Sequence, residues 1–174
     1  MFKTILVATD GSDHAKRAVG FAADLAKKYN AKLIALHVMG NDRLPDDDRY
    51  MAEVEFADEI RKFPSVVATD SIHGIGLQTI VGQHREKDDL LRGLIGKHLL
   101  QSIEKEISDG GVNDISTVLE KGNPATKILE VAAENRADLI VLGSRGLGNV
   151  GELFLGSVSN KVSHGTDINV MIVK

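Results

Sequence analysis

Five short runs of consecutive apolar residues punctuate the chain, and between most of them apolar positions return every three or four residues. Ile5 to Thr9 (ILVAT) is continuous and rich in strand formers, the pattern of a strand buried on both faces. Asp10-Gly11-Ser12 ends it, with Ser12 placed as N-cap of a helix and Asp13 in its first turn. Ala15, Ala18, Val19, Ala22, Ala23, Leu25 and Ala26 then recur at helical spacing, and Asn30 is a left-handed stop. Ala31 to Val38 (AKLIALHV) reads as the second strand, which completes a β-α-β unit. Later, Leu90 to Ile107 has the apolar stripe of an amphipathic helix, in which His98 falls on the apolar side. Ile115 to Leu119 is a short strand, and Pro124 starts a helix over 125–135. Asp138 to Leu142 (DLIVL) is a fourth strand. A helix is predicted from about Ser157 to His164, then a last strand from Asn169 to Val173. Alternation of strand and helix predicts an α/β domain with a mostly parallel sheet covered on both faces.

Residues 40–88 break this rhythm. They open with an acid-rich stretch, which predicts a helix from about Asp48 to Phe63, followed by the apolar pieces SVV and SIHGIGL. The segment is too short to hold a core of its own, so it reads as an elaborated insertion after the second strand within one domain, 1–174. A lid, a dimer contact, a mobile flap and a variable surface are all compatible with it.

The chain of 174 residues has 43% hydrophobic and 26% charged residues, ordinary globular values. A net charge of −4 without a basic patch disfavours nucleic acid as a main partner. No cysteine is present, which removes disulfides and thiolate chemistry. No apolar run reaches the length of a membrane span, and Met1 to Ala8 is too short for a signal segment, so a cytoplasmic protein without a membrane partner is expected.

The candidate chemistry lies after the fourth strand. Leu142 is followed by Gly143-Ser144-Arg145-Gly146, and Gly156-Ser157 opens the next helix, giving the spacing G-x2-G-x9-G-S. Glycines let backbone N–H groups approach oxygens closely, and a helix N-terminus adds oriented donors and partial positive charge. Ser144, Ser157 and Ser159 add hydroxyls and Arg145 a cation, a set suited to phosphate. In open α/β sheets ligands bind beyond the carboxyl ends of the strands, where this stretch falls. Asp10, on the same rim, suits either a ribose hydroxyl or local helix capping. Val38 suits either a base or ordinary core.

The segments ILVATDGS, LIALHV, EKGNPATKILEVAAE, DLIVLGSRG, GSVSNKV and NVMIVK resemble the universal stress protein family, and its ATP-binding branch in particular. The pattern G-x2-G-x9-G-[ST] of that branch is met at Gly143, Gly146, Gly156 and Ser157. The resemblance implies a doubly wound, Rossmann-like (adenine nucleotide α-hydrolase-like) domain whose five-stranded parallel sheet has the order 3-2-1-4-5. It implies ATP, with or without Mg²⁺, with adenine near Thr9 and Val38, ribose near Asp10, phosphates at Gly143, Ser144, Arg145 and Gly146 and at Gly156, Ser157, Val158 and Ser159, and Leu142 among the nucleotide-binding residues. It also suggests homodimers pairing through the last strand.

Other chemistries fit less well. The histidines show no i, i+4 pairing and no cysteine partner for a metal. His73-Gly74 does not follow the first strand, as a nucleotidylyl-transferase motif would, and no Walker loop is present. A phospho-receiver would need an acid at the end of the third strand, where only Glu120 stands. The expected function is a stress-response module in which bound ATP shifts conformation or dimer state. The alternatives are a slow ATPase that phosphorylates itself, for which no general base is apparent, and a scaffold that docks a protein partner through residues 40–88.

Overall fold

A computed structural model describes residues 2–40, 44–62, 77–147 and 155–174, with 77–84 as backbone only. The elements run β1 (Thr4–Ala8), α1 (Asp13–Tyr29), β2 (Lys32–Met39), α2 (Asp46–Glu55), α3 (Ala57–Ile60), α4 (Leu77–Asp109), β3 (Ile115–Lys121), α5 (Pro124–Glu134), β4 (Leu139–Gly143), α6 (Ser157–His164) and β5 (Asn169–Val173). They form two compact units, one of residues 1–41 with 98–174 and one of 42–97. Among the described residues no helix is long and apolar enough to cross a membrane.

The larger unit carries one sheet of order β3-β2-β1-β4-β5, parallel at every pairing, as the sequence implied. Its central strands β1, β2 and β4 are largely apolar because alternate residues enter two different cores. Ile5, Val7, Leu33, Ala35, Leu139 and Val141 point to one face, where they meet α1 and the C-terminal end of α4. Leu6, Ile34, Leu36, Ile140 and Leu142 point to the other, beneath α5 and α6. A parallel sheet needs both faces covered, and this alternation supplies both from one run. α1 meets the sheet through Ala15, Ala18, Ala22 and Ala26, all buried. Side chains this small let the helix approach closely. Ser12 caps it through the Ala15 amide at 3.3 Å, and Asn30 ends it at φ 51°, ψ 46°.

The smaller unit differs from the sequence expectation. The acid-rich helix starts at Asp46, after Pro45, and breaks at Phe56, whose ring turns into a cluster with Ala52, Ile60 and Leu91. Three aspartates in its first turn complement the helix dipole. α4 begins at Leu77, thirteen residues before its apolar stripe. In the described part of that extension, ion pairs substitute for apolar burial: Arg49 to Asp88 at 2.8 Å and Lys87 to Glu53 at 3.0 Å. His98 is exposed, off the apolar face assigned to it. The SVV and SIHGIG stretches and His73 lie outside the described residues.

Two local constraints set the sheet's register. Asp138 precedes β4, and its Oδ2 accepts the amides of Lys3 at 2.7 Å and Thr4 at 2.9 Å. Those amides, Lys3 first, hold the carboxyl below its ordinary value of 3.8. The ionised form is therefore favoured by folding. Its stabilising effect is complete above the unfolded value and is lost as pH falls through the lower native value. At the other end of β4, a Cβ on Gly143 would lie 2.8 Å from the His14 carbonyl carbon and 2.9 Å from the Ala15 nitrogen. Only glycine lets the first turn of α1 cross β4 at this distance.

Asp138→Ala should lower the melting temperature near neutral pH, and its gap from wild type should close on titration to about pH 2, as followed by circular dichroism. Gly143→Ala should cost about 1–3 kcal/mol in urea unfolding, since backbone rather than a flexible side chain must move.

Candidate functional site

The carboxyl rims of β1 and β4 are stitched together by short polar contacts. Thr9 is buried. Its N–H donates to Leu36 O at 2.9 Å, its carbonyl accepts from His37 Nδ1 at 2.8 Å, and its Oγ1 accepts the Gly11 amide at 3.2 Å. Gly11 turns the chain at φ 81°, a conformation that favours glycine. Asp10 Oδ1 accepts the Ser12 amide at 3.0 Å and Oδ2 the Leu147 amide at 3.2 Å. Asp10 therefore does local capping work and also holds the loop after β4. A carboxylate has about four acceptor positions, so two amides leave capacity for a further donor.

Ser144 follows β4 and is buried, its N–H donating to Val173 O at 2.6 Å. Its Oγ lies 3.0 Å from His14 Nδ1, and Arg17 Nη2 lies 3.0 Å from the same nitrogen. A guanidinium only donates, so Nδ1 is the acceptor and the ring proton sits on Nε2. Arg145 offers its carbonyl to Ser12 Oγ at 3.4 Å. At Gly146 an added Cβ would strike Asp10 Oδ2.

Gly156 closes the loop. Its N–H donates to Ser144 O at 2.8 Å, and a Cβ there would stand 3.2 Å from that oxygen and 3.3 Å from Arg145 Cα. Gly156 is also the N-cap of α6 and supplies no side-chain cap. α1 and α5 are capped by Ser12 and Asn123. The first-turn N–H groups of α6, on Ser157, Val158 and Ser159, thus start a helix with the partial positive charge of its terminus and no cap from the side chain of its own N-cap residue. The Ser159 hydroxyl does not add to these donors, because it donates to Gly143 O at 2.7 Å. Ser157 is exposed.

Of the twelve sequence-predicted residues, Asp10, Gly146 and the Gly143–Gly156 loop ends meet through the contacts above. Leu142 is core on the α5–α6 face, and Val38 and Val158 pack at the border of the same cluster. His14, His37 and the Leu147 amide were not anticipated. The available signal for His14 was its place in the first turn of a helix whose start abuts the end of β4.

The whole chain, residues 1–174, matches the model of the universal stress protein family. A protein of Thermus aquaticus described as a universal stress protein in the QAH/OAS sulfhydrylase 3′ region is 34% identical over 174 residues, and both chains are covered in full. Universal stress protein YxiE of Bacillus subtilis is 34% identical over 177 residues, again with full coverage of both. Among solved structures, MJ0577 superposes with a TM-score of 0.67 at 25% identity, over 100% of this chain and 96% of its own. A universal stress protein in complex with cAMP gives 0.60 at 24%, over 99% and 96%. The Archaeoglobus fulgidus universal stress protein in complex with dAMP gives 0.56 at 20%, over 99% and 98%. The last two speak to fold alone. With its full length matched by the family model and by relatives above 30% identity, the chain belongs to the universal stress protein family.

Proposed function

We propose that the rim between β1, β4 and α6 binds ATP, and that the protein acts as a stress-response regulatory module whose conformation or dimer state follows nucleotide occupancy. The observation that carries this reading is the N-terminus of α6, whose N-cap residue is a glycine without a side-chain cap and with a Cβ position already crowded. Such an end presents amides and positive potential to an anion. The amides of Gly146 and of Ser157 to Ser159, with Gly143, Ser144 and Arg145 shaping the loop, would hold phosphates. Asp10 would take a ribose hydroxyl with its remaining lone pairs, and Thr9, Val38 and Leu142 would border the base. The cAMP and dAMP complexes of structural neighbours support an adenine nucleotide. Mg²⁺ bound with ATP would be held chiefly by the phosphates and water. β5 is a sheet edge, which suits strand pairing in a homodimer of cytoplasmic protein. ATP would shift the population by its differential affinity for two states.

A slower enzymatic reading is favoured by one contact, the His14 Nδ1 to Ser144 Oγ distance of 3.0 Å. A serine hydroxyl attacking the γ-phosphorus would hand its proton to that nitrogen as ADP leaves. Phosphopeptide mapping after incubation with ATP should then find Ser144 modified in wild type and unmodified in His14→Gln. Modification elsewhere, or none, discards this reading.

ATP at a hundredfold excess over its Kd should stabilise the protein by about 2.7 kcal/mol, read as a raised melting temperature. Ser157→Asp makes the sharper control. An acid in the first turn suits the helix dipole, so the free variant should melt at or above wild type, yet its charge should repel phosphate and abolish the ATP shift. An undiminished shift in this variant would remove the phosphate site from α6.

A further inference from the structure

The α2 helix has an inner face that is already satisfied. Ala52 is buried with Phe56, Ile60 and Leu91, and two ion pairs tie its polar flank, Arg49 to Asp88 at 2.8 Å and Glu53 to Lys87 at 3.0 Å. The outer face of such a helix should be polar. Instead Tyr50, Met51 and Val54 are 67%, 66% and 61% exposed, at i, i+1 and i+4 on one stripe. Tyrosine and methionine are residue types enriched where proteins meet.

The charge of the segment that carries this stripe is predominantly negative. Asp46, Asp47, Asp48 and Glu55 of α2 are exposed. Arg49, the only base on the helix, turns inward to Asp88. Residues 44–62 hold seven carboxylates against three basic groups, a net of −4, which equals the net charge of the entire chain. The segment that carries the exposed apolar stripe therefore has an excess of negative charge equal to that of the whole chain.

From this we infer that the outer face of α2 is a docking surface for a basic amphipathic helix of another protein. The apolar stripe would cover Tyr50, Met51 and Val54, and flanking lysines or arginines would face the aspartate ring. The sign of the charge selects this occupant. A second copy would set acid against acid, and an anionic membrane or nucleic acid would be repelled.

The test uses the full-length protein labelled at its methionine methyls and a synthetic peptide of leucine and lysine at helical spacing, about 18 residues or five turns long. Titration should move the Met51 methyl resonance and leave Met39 and Met171 of the sheet in place. Binding should weaken at least tenfold in Tyr50→Ser/Val54→Ser, whose exposed positions should leave the melting temperature unchanged. Asp47→Lys/Asp48→Lys, a second variant independent of the apolar stripe, should weaken binding and flatten its salt dependence. A stationary Met51 resonance overturns the inference. So does equal binding of a leucine–glutamate peptide, equal binding by both variants, or a Met51 shift that follows protein concentration without peptide, which would assign the face to a second copy.

Discussion

The closest backbone approach at the site is the crossing of α1's first turn over the last residue of β4. It requires glycine at 143, where a Cβ would come within 3 Å of His14 and Ala15 backbone atoms. Because the helix start lies this near β4, three residues after β1 reach three residues after β4: Asp10 to Leu147, Ser12 to Arg145, His14 to Ser144. The two rims become one polar seam. The alanine face of α1 serves the same end, since larger side chains at Ala15, Ala18 and Ala22 would hold the helix off the sheet.

That seam bears on the proposed phosphate site, which draws its donors from α6 and not from α1, although both helices begin at the same rim. Ser12 occupies the amide of Ala15, so α1 has one of its first-turn donors taken by its own side chain. α6 begins at a glycine that has no side chain to offer, and the hydroxyl of Ser159 in its first turn is bound to the Gly143 carbonyl. The polar side chains around the loop are largely spent on holding its shape, which leaves backbone amides as the donors of the proposed site. Backbone donors fixed by a sheet and a helix need little reorganisation when charge arrives.

Much of this was legible in the residues themselves. ILVAT, LIAL and DLIVL are strands because both of their faces are buried, and a continuous apolar run is the signature of that state. Ser12, Asn30 and Pro124 set helix ends through local chemistry, and all three act where the sequence placed them. The part of α4 just before its apolar stripe was not legible, because Asp88 and Lys87 there pair with residues 39 and 34 positions earlier and such ion pairs leave no periodic trace. The break at Phe56 was hidden for a similar reason: only its tertiary burial decides that an aromatic in a helical pattern turns inward. The Ser159 hydroxyl was legible as a donor, but its acceptor was not, because Gly143 O is sixteen residues away.

The distribution of charge separates the two surfaces by physical type. Outside residues 44–62 the acidic and basic residues balance, so the sequence that builds the rim of β4 carries no net charge. A phosphate held there as proposed would meet local groups, namely helix dipole, amides and close-packed glycines, which act within a few ångström. The face of α2 works in the opposite way. Its three apolar side chains give little geometric definition, while its ring of carboxylates acts over roughly a Debye length, about 8 Å at physiological salt. A surface of that kind favours encounter over fit.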